Sequence, residues 1–320
     1  MTRTTHSVSN AVRGLWRTDT PLTAVGLLMI AALVGALAGL ALDSRTIGGA
    51  PAWLKPAKFA ASTAIYSLTL AWLFRYLGAW TRTKRLVSWT TAVVLVLEVA
   101  IISLQAWRGT TSHFNVGTPL DAALFGVMGS AIVLQTLVSI AVAVALWRER
   151  FADPALAWAL RFGMTLTIVG AATGGLMTRP TAAQLADAHS GRGMPIAGAH
   201  TVGAPDGGPG LPGTGWSVEH GDLRVPHFVG LHAVQALGLF AVFAGRRIRE
   251  SRRRVRVMLT AAVSYGALFA ILLSQALRGQ SIVQPDMTTI VAVAAWALAT
   301  AAAVYTAARS ESVSRPALVH

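Results

Sequence analysis

Apolar residues run through this chain in eight long blocks, near residues 22–42, 59–79, 86–107, 120–147, 155–177, 226–244, 257–277 and 287–308, separated by short polar connections. Each block approaches the roughly 20 helical residues that cross a hydrocarbon core of about 30 Å. Continuous runs point to helices, because a spanning segment must satisfy its backbone hydrogen bonds within itself. The pattern predicts an all-α polytopic membrane bundle of eight transmembrane helices. Arg3, Arg13 and Arg17 precede the first block, which is too long for a cleavable signal and reads as a span. Val8, Val12, Leu15 and Trp16 before it predict a short interfacial helix.

The blocks repeat. Gln105-Ala106-Trp107-Arg108-Gly109 closes the third and Gln275-Ala276-Leu277-Arg278-Gly279 the seventh. Upstream, Leu54-Lys55-Pro56-Ala57-Lys58-Phe59 opens the second and Leu223-Arg224-Val225-Pro226-His227-Phe228 the sixth. Phe59 to Gln105 is 46 positions and Phe228 to Gln275 is 47. Matched motifs at matched spacing predict two pseudo-equivalent four-helix halves, 22–150 and 151–309, running in the same sense. Residues 1–21 and 310–320 form the terminal segments. Gly35-x-x-x-Gly39 in span one and Gly170-x-x-x-Gly174 in span five allow close backbone approach, so these spans are expected to meet. One insertion, 178–225, is rich in Gly and Pro and is expected to be largely flexible, with one short helix over Thr181–His189.

Composition narrows the class. Hydrophobic residues make up 54% of 320, charged residues 12%, and there is no cysteine, which excludes disulfides, thiolate metal sites and covalent c-type haem. The net charge of +14 does not indicate nucleic acid, since the basic residues sit in the connections. The N-terminus, the even-numbered connections and the C-terminus carry 18 Lys and Arg, against 8 in the odd-numbered connections. Positive-inside bias therefore puts both termini in the cytoplasm of a bacterial cell, with the loop outside its plasma membrane. The lipid bilayer is the one partner this implies, and oligomeric state is not legible.

The polar residues inside the blocks are the candidate chemistry, since each is costly in lipid. Glu98 sits near mid-depth in span three, Gln105 lies on nearly the same face seven residues on, and Arg108 follows; span seven repeats the Gln and Arg but has Leu268 in place of the Glu. Glu98 is either a proton-coupling group or a hydrogen-bonding helix contact. His113, His227 and His232 gather at the outer side, where neutral imidazoles suit b-type haem iron. His227 and His232 are five apart, about 140° round a helix, so a bis-His haem needs His113 and one of them. Gln235 supports a polar face beside His232. Lys55, Lys58, Arg108, Arg224, Gln275 and Arg278 complete the outer cluster. The arginines either snorkel to headgroups or clamp an anion bidentately. His189, His200 and His220 sit in the loop with Asp187, Asp206 and Asp222, and are either a weak metal site or solvated.

The strings Lys55-Pro56-Ala57-Lys58-Phe59, Gln105-Ala106-Trp107-Arg108-Gly109, Ser112-His113-Phe114-Asn115 and Gly221-Asp222-Leu223-Arg224-Val225-Pro226-His227-Phe228-Val229-Gly230-Leu231-His232 resemble a widespread group of uncharacterised bacterial multi-span membrane proteins. That resemblance covers most of the chain and implies no activity. The duplicated four-helix layout is also similar to haem A synthase, a family with paired histidines on the second and fourth helices of each half. Here span two has Lys58, and spans four and eight have no histidine, so the similarity implies architecture only. Two uses of the outer cluster stay open: a b-type haem or quinone-linked redox protein, and a proton-coupled transporter of a small anionic solute. A non-catalytic accessory subunit is the third.

Overall fold

The computed structural model describes residues 2–309; the tail 310–320 lies outside the described residues. Eleven α-helices are found among them. An amphipathic α1 (Thr2–Thr18) leads into α2 (Thr20–Leu42), where Asp19 caps the helix by accepting from the Leu22 N–H at 3.0 Å. Next come β1 (Thr46–Ile47) and β2 (Ala50–Pro51), a two-residue antiparallel pair, then α3 (Leu54–Leu73), α4 (Thr81–Trp107), α5 (Pro119–Arg148) and α6 (Pro154–Met177). The insertion holds α7 (Ala182–His189), β3 (Thr201–Val202) and β4 (Gly221–Asp222). The chain ends with α8 (Arg224–Leu231), α9 (Ala233–Arg247), α10 (Ser251–Leu277) and α11 (Met287–Arg309).

Six of these segments are long and apolar enough to cross a membrane: α2, α4, α5, the stretch that begins with α6, α10 and α11. A seventh is the pair α8–α9, bent by 44° at its junction. The remaining block of the sequence pattern forms α3, which is less apolar because it carries Lys55, Lys58, Ser62, Thr63, Tyr66, Ser67 and Thr69. Its position accounts for this. It lies between α2 and α4, and Ala60 and Ala64 pack on Val25 and Met29 of α2 and on Ala92 and Val99 of α4.

Polar side chains are buried among the apolar core residues, while many large apolar side chains face outward. Thr63, Ser67, Thr91, Glu98, Gln105, Thr167 and Gln275 are buried, while Val133, Leu137, Val291 and Leu298 face outward. An apolar exterior on this scale is matched by lipid, not water. Arg161 of α6 turns back to the helix end beside it. It donates to the carbonyls of Leu146 and Glu149 at 3.0 and 2.9 Å and lies over Trp147 and Trp158, so the cation neutralises the C-terminal dipole of α5.

The glycine pairs part from expectation. Gly170 meets Gly230 of α8, Gly174 meets His227, Gly39 faces the Trp53 ring, and Gly35 has nothing near it. Close approach thus joins α6 to α8, not span one to span five. The contact falls where the helix breaks, and the freed backbone groups find side chains. The Thr167 hydroxyl accepts from Val234 N–H and donates to the Leu231 carbonyl, both at 3.3 Å, and Tyr265 donates to the Val229 carbonyl at 2.6 Å. Such repair is what permits a broken helix at membrane depth.

Candidate functional site

The duplicated Gln-x-x-Arg-Gly string builds the same corner twice. Gly109 and Gly279 take φ of 76° and 74°, which only glycine adopts without strain. The Gly109 N–H reaches the Ala106 carbonyl at 3.1 Å and Thr110 N–H the Gln105 carbonyl at 3.0 Å; Gly279 to Ala276 and Gln280 to Gln275 repeat this at 3.0 and 3.1 Å. Each is a helix stop in which a left-handed glycine satisfies the last carbonyls. Both glutamine amides then donate six residues ahead, Gln105 to the Thr111 carbonyl at 3.4 Å and Gln275 to the Ser281 carbonyl at 2.8 Å. Each arginine pairs with an aspartate opening the next helix: Arg108 with Asp121 at 2.6 Å and Arg278 with Asp286 at 2.7 Å. The repetition is therefore spent on ion-paired helix turns.

Arg224 is likewise engaged, bonding Asp222 through two nitrogens and the Gly215 carbonyl at 2.6 Å. Lys58 donates to the Thr214 carbonyl at 2.6 Å. The Lys58 contact and the bridge of Asn115 to Ile196 draw the insertion onto the bundle, and the β3–β4 pairing and Gln184, which bonds both polar backbone atoms of Gly198, order it internally. A segment expected to be mostly flexible thus has a defined path, because buried side chains hold its backbone.

That path delivers His200 and Asp206 to the site. The charges of Glu98 and Asp206 both act on Lys55, and His113, His200 and His227 lie within electrostatic reach of each other. All three histidines are anchored through Nδ1: His113 to Ser112 Oγ at 3.1 Å, His200 to Asp206 at 2.6 Å, and His227 to the Gly170 carbonyl at 2.8 Å. Against a carbonyl Nδ1 can only donate, so neutral His227 carries its lone pair on Nε2. His232 stands apart at the helix break, 3.4 Å from Ser62 Oγ and packed on the Phe228 ring. Gln235 has both amide atoms buried without a partner, and so does the Glu98 carboxylate atom Oε2. Among the described residues no three His, Asp or Glu side chains converge as ligands of one metal ion.

The sequence places His200 among polar, glycine-rich neighbours, and nothing local marks its return to the core. Asp121 and Asp286 are readable in principle, since each is the first acid after its arginine.

Burial holds His113 well below its usual pKa of 6.5, with the positive Lys55 acting in the same sense; burial also lowers His200. Hydrogen bonds from His200 and the Thr201 N–H keep the Asp206 carboxyl well below the carboxylate range, against its own burial. An imidazole buried neutral is protonated first in the undocked state. Its contribution is full above the unbound pKa of 6.5 and declines as pH falls below it. Protection of the 178–225 amides, measured against their intrinsic exchange rates at each pH, should therefore fall between about pH 6.5 and 5. His200→Gln should flatten that dependence, and an unchanged profile in the variant would show that other groups set it.

Comparison with protein-family models, with curated proteins and with solved structures gives no match. What the chain has is a set of helices long and apolar enough for a multi-pass membrane protein, with a minority of polar side chains buried in its core.

Proposed function

We propose that the chain crosses the bacterial cytoplasmic membrane eight times as two four-helix halves, termini inside, and couples proton movement to transport of a small anionic solute. The observation that carries this reading is Glu98, 3% exposed, with a carboxylate oxygen lacking any partner yet within reach of the Lys55 charge. A group that can gain and lose a proton beside a cation is what coupling requires. The broken helix α8–α9 supports the same reading, because discontinuous helices line the substrate sites of many secondary transporters. Lys55 takes the place of Arg108 and Arg278 as the first contact for an anion, since both guanidiniums are already paired. The two matched helix corners support the duplicated layout.

The test is flux of small carboxylates and phosphate into proteoliposomes with and without a pH gradient. Glu98→Gln should abolish the stimulation by the gradient while leaving the protein folded. Gradient-driven flux equal to wild type would remove coupling from Glu98.

A second reading, a b-type haem or quinone-linked redox protein, rests on the shared Nδ1 anchoring, which leaves Nε2 of His113 and His227 as the ligand-side nitrogens. Haem would supply electron transfer there. Protein colourless after expression with abundant haem would exclude the haem form.

A further inference from the structure

Four polar residues of α4 fall on one buried face. Ser88 (2% exposed), Thr91 (0%), Glu98 (3%) and Gln105 (0%) are spaced three, seven and seven residues apart. The outer members lead to the Arg108–Asp121 corner. The inner ones do something else.

At the inner end, Ser88 donates to the Asp19 carboxylate at 2.7 Å, and both line a cleft with Thr18, Lys84, Arg85 and Trp89. One turn deeper lies Thr91, and its hydroxyl is buried with no partner. On the facing helix the Ser67 hydroxyl is also buried, 0% exposed and unpartnered. Hydroxyls in helices usually return to the carbonyl four residues back. Thr23, Thr69 and Thr136 do so here at 2.7, 2.7 and 2.8 Å. Ser67 and Thr91 do not, so each keeps its hydrogen-bonding capacity for something between the helices.

Depth places them in series. At 1.5 Å per residue, Glu98 is about 14 Å in from the outer end of α4, Ser67 about 20 Å in along the antiparallel α3, and Thr91 about 24 Å in. Ser67 therefore fills the two-turn gap between Thr91 and Glu98. It also belongs to the face of α3 that carries Ala60 and Ala64 toward Ala92 and Val99. Three buried, orphaned polar atoms in a row, Thr91 Oγ1, Ser67 Oγ and Glu98 Oε2, are the signature of internal water, because each would otherwise forfeit its hydrogen bond in an apolar interior.

We infer that α2, α3 and α4 enclose a hydrated proton track that runs from the cytoplasmic Asp19–Ser88 cleft through Thr91 and Ser67 to Glu98. Water and hydroxyls along it pass protons by accepting one and releasing another, and the Glu98 carboxylate is the terminal acceptor. The track gives the inner side its access to Glu98, while Lys55 and the histidines give the outer side theirs. This inference rests on Glu98 taking up a proton, the reading proposed above.

The experiment is infrared spectroscopy of the reconstituted protein during transfer to deuterated buffer. Glu98→Gln identifies the protonated carboxyl band. The band should titrate, and its hydrogen–deuterium exchange should be fast in the wild type. In Ser67→Ala combined with Thr91→Val it should slow by about tenfold, roughly the equivalent of one hydrogen bond lost from the path. Ser67→Thr combined with Thr91→Ser keeps both hydroxyls and should retain fast exchange. A titrating band whose exchange is the same in the hydroxyl-less variant overturns the track but leaves Glu98 as a proton acceptor. No titrating band at any pH overturns that reading of Glu98, and the track with it.

Discussion

Gly170→Ala is expected to be among the most damaging single methyls that can be added to this protein. A Cβ at this position would stand 2.5 Å from the Cα and carbonyl carbon of Gly230 and 2.6 Å from the Leu231 N. All three are backbone atoms, so no rotamer change relieves the clash, and α6 and α8 must separate. Overpacking a well-filled interior costs about 1–3 kcal/mol, and a contact with fixed backbone on both sides belongs at the upper end. The displacement would also pull the Gly170 carbonyl from His227 and Thr167 from the helix break. On the same helix a methyl added at Gly175 would meet nothing within 4 Å, so Gly175→Ala should be neutral or should gain the roughly 0.5–1 kcal/mol that alanine brings to a helix. Thermal unfolding in detergent distinguishes the two. Equal midpoints for both variants would show that α6 and α8 are not in backbone contact.

The second large effect concerns Lys55 and Glu98. Removing one member of a buried charge pair leaves the other uncompensated and costs about 3–5 kcal/mol, whereas removing both is often far milder. Lys55 is half-buried and acts on Glu98 only at electrostatic reach, with no ion pair between them, so Lys55→Met should cost less than this, about 1 kcal/mol. Lys55→Met with Glu98→Gln should then recover most of the loss. A double-mutant cycle on unfolding free energy is the measurement. If the two single costs simply add, the groups do not interact, and the case for Glu98 as a coupling residue loses its counter-charge.

Much of the helix set is legible because lipid imposes a period-free demand: a block apolar enough and about 20 residues long. The block at 86–107 corresponds to Thr81–Trp107, that at 120–147 to Pro119–Arg148, and the short loop helix expected at 181–189 to Ala182–His189. The second block is less apolar than a lipid-facing span, because α3 is shielded by its neighbours and can carry Ser62, Thr63, Ser67 and two lysines. The sixth block gives no sign of its break. Gly230 is one of many glycines in the chain, and what makes it special is Gly170, sixty residues away on another helix.

The candidate site is legible in residue types and less so in partners. Lys55 acts electrostatically on both Glu98 and His113, and His227 on His113, although Glu98 lies deeper along its helix than the other three. Arg108 and Arg278 stand out because they repeat, and the repetition marks a shared way of stopping a helix. Their aspartates open the following helix, each the first acid after its arginine, so the pairing is readable only once the repeat is followed into the next segment. His200 comes in through tertiary contacts of a loop whose composition resembles a linker.

The junction at His232 has a mechanical consequence. The eight residues of α8 continue directly into β4, which is zipped to β3, and the Leu223 N–H is bonded to the His200 carbonyl at 3.0 Å. Half-helix and loop are thus one unit, and it is seated on α6 through the Gly170–Gly230 contact and on α10 through Tyr265. A change of bend at His232 would carry His200 and Asp206 along only if α8 also parted from α6, so the glycine pair sets how far the loop can follow α9.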